Sequence, residues 1–427
     1  MKRLYITTII ASLLLTSCYR DEKDLFENSA ADRLHNAQAS LSDYLTSADN
    51  GWEMVYFTNP YGMGYVFLMN FDKNGKVTIA AKNNTTTNSI YKEEDSLWDI
   101  DGTQSVTLSF KSYNSVFSAM ASPGSDGVGY EGDYEFVVLE QSSSLIKLKG
   151  KKHSAYSYMR PIDKSIAWSD YYTPIDRLYN LVFEGNSGME MNLMVDGKLK
   201  EVVVEQGGSL GDVALSDIIY PYVITRDGIE FYDKGILVKD SIYAKHFNVN
   251  DELTKLLCTD SNVNAYIESA YTPMGYFDFR MAHNYRWSIS SSDNGSETQA
   301  TYDLFNNNMK ANNARLDYIS IQTTDSVYVL HLRMKFDGAY FDGYVTLDKG
   351  LDGDNITFKY NSVDDVGKAI LNYASNNDLD KGIEMIKQLI EGTFSLTSVT
   401  GSTLNIQQMY LTDITNPNRK IKVIVKK

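Results

Sequence analysis

The chain has 427 residues, with 40 basic against 55 acidic side chains and a formal net charge of −15 at pH 7. Such an acidic surface repels phosphate backbones, and no basic stripe compensates for it, so the composition argues against nucleic acid as a partner. The 31 Tyr and 17 Phe favour strands, and the length exceeds one ordinary core. We therefore expect a β-rich protein of two domains or three.

The first 17 residues have the pattern of a secretory signal. Two basic residues precede an apolar run from Leu4 to Leu15, and small residues then lead to Cys18. The run is too short to span a bilayer as a helix, and a cysteine directly after small residues resembles the lipobox of bacterial lipoproteins. We expect removal of residues 1–17 and lipidation of Cys18, with residues 18–25 as a tether. An ordinary secretory signal with an incidental cysteine is the alternative.

Residues 26–162 are predicted to form an N-terminal domain of one helix and an antiparallel sheet. Apolar positions three and four apart predict a helix over 26–49 that ends at Asn50-Gly51. Short strand patterns separated by turns follow, at residues 52–57, 65–71, 76–80, 97–100, 105–110, 133–139 and 145–149. Such a series predicts a sheet that curls or closes into a barrel or sandwich.

Residues 163–427 are predicted to form a C-terminal α+β domain. Asp196-Gly197 and Asp227-Gly228 favour tight hairpin turns. Helices are predicted at 251–269, 297–313 and 362–390, the last broken near 376–378, and a short one within the junction 162–182. Strands are predicted at 189–195, 199–205, 222–225, 229–232, 315–321, 326–335, 339–347, 355–360, 393–399, 404–411 and 421–425. The predicted fold class is α+β and mainly β, with antiparallel curved sheets in barrel or sandwich units and a few packed helices.

No pattern in the sequence carries catalytic, metal or cofactor chemistry. No two of the five histidines lie within ten residues of each other, which leaves neither a paired-histidine zinc motif nor a local cluster of cysteine and histidine. A nucleophile elbow and a phosphate-binding loop are also missing from the sequence. Carboxylate pairs assembled in space leave no spacing in sequence, so a hydrolase of glycans or peptides remains an alternative. We favour a non-enzymatic protein with no catalytic residue, no metal ligand and no cofactor.

Two aromatic clusters are candidates for ligand binding. A flat ring stacks on the apolar face of a sugar, and neighbouring Asp, Asn or Arg side chains fix the hydroxyls. The same rings can instead pack between sheet and helix. The first cluster is Trp168, Tyr171 and Tyr172, and the second is Tyr276, Phe277, Tyr285 and Trp287, flanked by Arg280 and Arg286. The predicted ligand-binding aromatics are Trp168, Tyr171, Tyr172, Tyr285 and Trp287.

Several segments of the chain resemble a known family. The lipobox cysteine runs into residues 24–34, and Asn50-Gly51-Trp52 follows the first helix. Further matching segments are residues 130–136, 146–152, 221–224 and 228–232. Together they resemble the uncharacterised Bacteroidetes lipoprotein family known as domain of unknown function 4302, over most of the mature chain and most specifically from Asp24 to Ile162. These motifs are structural, so the resemblance supplies no active-site residue.

The resemblance implies an accessory lipoprotein anchored by lipid in the outer membrane. Acidic residues after Cys18 resemble the signal that sends such lipoproteins to the cell surface, with the periplasmic leaflet as the alternative. Proteins of this kind accompany TonB-dependent transporters and their partner lipoproteins. The resemblance therefore implies a non-enzymatic protein that captures a glycan or peptide nutrient for uptake. A structural partner of an outer-membrane transporter, without contact to the nutrient, is a further alternative.

Overall fold

The computed structural model describes residues 29–102, 105–125, 127–185, 188–205, 212–215 and 218–427. Within these residues the strands form three closed eight-stranded barrels, one after another along the chain, and one separate two-stranded sheet. The prediction of a mainly β fold with curved antiparallel sheets and packed helices is confirmed. The signal segment, Cys18 and the tether lie outside the described residues, so their predictions stay predictions.

The first barrel takes up residues 52–161 and closes where its first strand pairs antiparallel with its last. Its strands are β1 (Trp52–Phe57), β2 (Gly64–Phe71), β3 (Lys76–Ala81), β4 (Lys92–Asp101), β5 (Thr107–Phe110), β6 (Glu135–Gln141), β7 (Ile146–Gly150) and β8 (Tyr156–Pro161). Alternate side chains point inward and fill the interior, where Tyr56 meets Phe67 edge to face at 5.7 Å between ring centroids. The seven predicted strands of this region correspond to β1 to β7, and β8 was not predicted.

Helix α1 (Ala30–Ser47) closes one end of the first barrel, as the prediction over 26–49 anticipated. It begins at Ser29, whose hydroxyl accepts a hydrogen bond from the backbone N–H of Asp32 at 3.1 Å. Leu41 and Leu45 on one face of the helix are buried in the core of the barrel. We call this end of the barrel the closed end, because α1 covers it.

A junction of short helices leads from the first barrel to the second. It contains α2 (Trp168–Tyr171), α3 (Thr173–Leu178) and a π-helical turn at Tyr179–Phe183. The second barrel then comprises β9 (Glu190–Val195), β10 (Lys198–Glu205), β11 (Asp212–Leu215), β12 (Ile218–Ile224), β13 (Gly228–Phe231), β16 (His246–Val249), β17 (Lys255–Cys258) and β18 (Ala265–Ser269). Strands β14 (Ile236–Lys239) and β15 (Ile242–Ala244) form the separate hairpin between β13 and β16. Both predicted Asp-Gly hairpins are confirmed.

The helix predicted at 251–269 is wrong, because these residues form β17 and β18 of the second barrel. Leu256 and Ile267 face each other across the two strands, and both are fully buried inside the barrel. Asn250 holds the preceding turn by accepting hydrogen bonds from the backbone N–H groups of Thr254 and Lys255. A short apolar run does not distinguish a strand from a helix, and here barrel closure decides for strands.

The third barrel begins after α4 (Pro273–Ala282), a helix that was not predicted. Its strands are β19 (Arg286–Ile289), β20 (Ala314–Thr324), β21 (Val327–Phe336), β22 (Ala339–Asp352), β23 (Asn355–Val363), β24 (Gly392–Ser398), β25 (Gln408–Asp413) and β26 (Lys420–Lys426). Helices α5 (Ser296–Ala311), α6 (Asp365–Ala374) and α7 (Leu379–Ile390) are inserted between strands. The predicted C-terminal domain, 163–427, therefore holds two barrels, which the sequence patterns did not separate.

The break between α6 and α7 lies where it was predicted. Asn376 and Asn377 both have positive φ, +58° and +68°, and the side chain of Asp378 then caps α7. The strand predicted at 404–411 is displaced, since only its last residues belong to β25. Among the residues that the structure describes, no helix is both long and apolar enough to cross a membrane.

Candidate binding cleft between the first two barrels

The first predicted aromatic cluster packs the junction against the first barrel. Tyr171 and Tyr172 are each only 3% exposed. The hydroxyl of Tyr172 donates to the carbonyls of Val66 and Ala80, at 3.0 and 3.2 Å. Trp168 is half-buried, and its indole N–H is bonded within the protein. The prediction of Tyr171 and Tyr172 as an exposed ligand platform is corrected, because both rings are covered by protein, although Tyr172 contributes to the lining of a neighbouring cavity.

The second predicted cluster belongs to the core of the third barrel. Trp287 is fully buried and stacks on Phe277 with ring centroids 5.4 Å apart and an interplanar angle of 10°. Its indole N–H donates to the carbonyl of Phe277 at 3.0 Å. Tyr285 is half-buried beneath the guanidinium of Arg280, 5.0 Å from the ring centroid. Trp287 is therefore a packing residue, and the structure does not bring the two predicted clusters together.

A cavity of about 240 Å³ lies between the first barrel, α3 and the second barrel. We call it the cleft. Strand β2 and the loop between β3 and β4 form one side of it, and β12 forms the other. The two barrels approach closely at Gly64, where an added Cβ would lie 2.6 Å from the Cβ of Val223. This close approach of β2 to β12 closes the base of the cleft.

Four tyrosines contribute to the lining of the cleft, and three of them (Tyr65, Tyr172 and Tyr222) are largely buried in packing contacts, so that only small parts of these rings reach the cavity. Tyr65 comes from β2, Tyr172 and Tyr179 from the junction, and Tyr222 from β12. The sequence patterns selected Tyr172 but not Tyr65, Tyr179 or Tyr222, which lie on separate elements of the chain. Only closure of the two barrels places them around one cavity.

Asn83 supplies an unusual polar group in the cleft. Its side-chain oxygen accepts hydrogen bonds from the backbone N–H groups of Thr85 and Thr86, at 2.9 and 2.7 Å, and so shapes the loop between β3 and β4. Its Nδ2 is buried, with no hydrogen-bond partner among the described residues. An unmade hydrogen bond at a buried donor costs about 1–3 kcal/mol. A ligand oxygen in the cleft would satisfy this donor.

The rim of the cleft is otherwise polar and electrically balanced. Lys82, beside Asn83, forms an ion pair with Asp176 of α3, which joins the first barrel to the junction. Asn84 and Ser89 add an amide and a hydroxyl group. The cleft therefore offers aromatic faces and uncharged hydrogen-bonding groups, with its one ammonium group paired.

A network of charges ties the two barrels together at a second place. Glu230 of β13 is only 2% exposed and receives a bidentate pair of hydrogen bonds from Arg160 of β8, at 2.9 and 3.1 Å. Lys245 lies 3.1 Å from the same carboxylate, and a ring nitrogen of His246 lies 3.7 Å from it. This network borders a cavity of about 250 Å³.

The pKa shifts of the carboxyl groups in this network indicate a structural role and not an acid–base role. Burial alone would raise the pKa of Glu230, but His246, Arg160 and Lys245 outweigh burial and hold that pKa well below its usual range. Asp260, which bonds His246 at 2.6 Å, also has a lowered pKa, because its hydrogen bonds outweigh its burial. A general acid needs a carboxyl group with a raised pKa, and these two groups have the opposite shift.

The described residues offer little for metal or thiol chemistry. No group of three or more His, Cys, Asp or Glu side chains in them is arranged to hold a metal ion. Burial raises the pKa of the Cys258 thiol to about 11, so this thiol is protonated at neutral pH. The cleft is therefore the cavity with the most ligand-like lining.

A family model described as Domain of unknown function (DUF4302) matches residues 22–251, more than half of the chain. The chain belongs to this family. The DUF4302 match covers the first barrel, the junction and the second barrel as far as β16, and it includes every residue that lines the cleft. It ends before β17 and β18 of the second barrel and before the third barrel. No curated protein matches the chain.

Proposed function

We propose that this protein is a lipid-anchored, non-enzymatic binding protein that holds a glycan or peptide nutrient in the cleft. It would do so at the outer membrane, on the cell surface, for a TonB-dependent transporter and its partner lipoprotein. The observation that carries the proposal is the cavity between the first two barrels, lined by aromatic rings and by the unpartnered Nδ2 of Asn83. The outer-membrane part of the proposal depends on the sequence pattern around Cys18.

The size of the cleft supports a small ligand or one unit of a larger one. Binding sites for drug-sized molecules usually enclose about 300–1,000 Å³. The cleft, at about 240 Å³, is slightly smaller and suits a single sugar ring or one amino-acid side chain. Aromatic walls and a few neutral polar groups are the usual combination in such sites.

The substitution Asn83→Asp tests the proposal. Aspartate keeps the oxygen that accepts from Thr85 and Thr86, so the loop is preserved, but it replaces the free donor by an acceptor. We expect about a 10-fold loss of affinity for the ligand, because one hydrogen bond is lost. Isothermal titration calorimetry against neutral monosaccharides, short oligosaccharides and short peptides measures this loss.

Asn88→Asp is the matched control for this experiment. Asn88 lies in the same loop but does not line the cleft. Its substitution by aspartate therefore adds the same charge to the loop and keeps the Nδ2 donor of Asn83. Binding that is equally weakened in both variants would contradict a role for Nδ2 of Asn83. Turnover of any compound in the panel would favour the hydrolase alternative. Co-purification with a transporter, without binding of any compound, would favour the purely structural partner.

A further inference from the structure

The end of the first barrel opposite α1 carries exposed aromatic side chains. We call it the open end, and it consists of the loops β1–β2, β3–β4, β5–β6 and β7–β8. Tyr61 in the first of these loops is 78% exposed, and Tyr130 in the third is 49% exposed. Tyr113 and Tyr134 on the β5–β6 loop are also exposed. Exposed rings grouped at one end of a domain are typical of interaction surfaces.

Asn59 links the two loops that carry Tyr61 and Tyr130. Its side-chain oxygen accepts from the backbone N–H of Tyr61 at 2.8 Å. Its side-chain nitrogen donates to the carboxylate of Glu131 at 3.0 Å, and Glu131 directly follows Tyr130. One amide thus bridges the β1–β2 and β5–β6 loops. The two loops that carry Tyr61 and Tyr130 are therefore linked to each other.

The two rings lead into the cleft. Met63, two residues after Tyr61, lines the cleft, and so does Tyr65 at the start of β2. Tyr130 lies near enough to Tyr65 to add to the rise in pKa that burial gives the Tyr65 phenol. The hydroxyl of Tyr65 is 3.2 Å from that of Thr85 in the β3–β4 loop. The loops that carry the exposed tyrosines therefore lead directly into residues that line the cleft at the open end.

The chemistry of this surface favours a neutral sugar chain over a peptide. Asn84 and Ser89 in the cleft are uncharged, and Lys82 forms an ion pair with Asp176. The carboxylate of Glu131 accepts a hydrogen bond from Asn59. Extended peptides commonly bind by adding a strand to a free sheet edge, but the first barrel is closed and offers none. Aromatic faces together with neutral amides and hydroxyls match the alternating apolar faces and hydroxyls of a sugar.

We propose that Tyr61 and Tyr130 extend the cleft into a binding track for a neutral oligosaccharide, with one sugar in the cleft and the following units on the two rings. This inference rests on the proposed function, since it names the ligand class of the same cleft. It predicts that affinity rises with chain length. Each ring that stacks on a sugar unit raises the affinity a few-fold. Two rings therefore give about a 10-fold gain in affinity from a monosaccharide to a tetrasaccharide.

The experiment measures affinity against length for the wild type and for Tyr61→Ala combined with Tyr130→Ala. Calorimetry uses neutral glucose-, mannose- and xylose-based chains of one to six units, and uncharged peptides of similar length. The double variant should bind the monosaccharide as the wild type does but lose the gain with length. Tyr340→Ala, which removes a 46% exposed tyrosine on the third barrel, is the control and should keep the gain. Unchanged melting temperatures establish that the variants are folded.

The outcomes separate this inference from the proposed function. The binding track is contradicted if sugars of all lengths bind with equal affinity. It is also contradicted if the double variant keeps the gain in affinity with length. In both cases the cleft remains the binding site. Binding of peptides but not of sugars, weakened by Asn83→Asp, would contradict a sugar chain as the ligand. It would still support the cleft as the binding site. Binding of neither sugars nor peptides overturns the proposed function, and the track with it.

Discussion

Among single residues, Glu230 has the largest part in holding the first two barrels together. Its carboxylate is almost fully buried, and it faces cationic groups from both barrels: Arg160 from the first and Lys245 from the second. A buried charge is tolerated only when its partners replace the lost water. Glu230 therefore stabilises the relative position of β8 and β13, and with it the geometry around the cleft.

Replacement of Glu230 by glutamine should destabilise the protein strongly. The neutral amide would leave the half-buried charges of Arg160 and Lys245 without their charged partner, and the cost should approach but not exceed the roughly 3–5 kcal/mol of breaking a fully buried pair. Glu135→Gln breaks an exposed pair with Lys151 at 3.1 Å and should cost less than about 1 kcal/mol. Chemical denaturation of the two variants measures the free energies of unfolding. Equal losses in both would contradict the structural role of Glu230.

His246 should make the stability depend on pH. Its contact with Glu230 raises its pKa despite partial burial, and Asp260 adds to this rise. The protonated ring thus stabilises the fold fully below the unfolded pKa of about 6.5, and this contribution is lost as pH rises through the higher folded pKa. The effect should be less than about 1 kcal/mol, because 38% of the side chain is exposed and solvent screens it.

The measurement for His246 compares its glutamine variant with the wild type between pH 6 and pH 9. The difference in free energy of unfolding should be largest at pH 6 and should shrink as pH rises. A difference that grows with pH would contradict a charged His246 in the folded protein.

At the scale of elements, local patterns predicted most strands but not the elements whose identity depends on distant contacts. The seven strands β1 to β7 and the helix pair α6 and α7 follow from alternation, turn residues and caps. Strands β17 and β18 do not, because their short apolar runs become strands only when the barrel closes around Leu256 and Ile267. Tertiary pairing overrides local preference at such places.

The candidate site was less predictable for a related reason. Clustering of aromatic residues in sequence selected Trp287 and Tyr171, which are buried in packing contacts. Tyr65 and Tyr222, which line the cleft, come from separate barrels and are far apart in sequence. Sequence shows which residues are neighbours along the chain, whereas a site between domains depends on which surfaces meet.

For the whole molecule, the lipid anchor and the ligand site are expected at opposite ends of the first barrel. Helix α1, which follows the predicted tether, covers the closed end, and the exposed tyrosines are at the open end. Cys18→Ala should therefore release the protein from the outer membrane without changing its affinity for the ligand, because the cleft does not involve the anchor. Membrane fractionation and calorimetry measure the two properties.

Cys258→Ala is the control for this release, since it removes the other cysteine of the chain and should leave the protein in the membrane fraction. Retention of the Cys18 variant in the membrane would contradict lipidation at this position.

Closure of the barrels has a consequence for how densely such a protein can cover a membrane. Within the described residues, every barrel strand has a partner on both sides, although β20 pairs with β19 only at Ser320 and Ile321, so no barrel offers a wholly unpaired strand to a neighbouring copy. The separate hairpin of β14 and β15 has strands of only four and three residues, too short to template extended pairing. Copies crowded side by side should therefore resist fibril formation and strand exchange, even where local concentration is high.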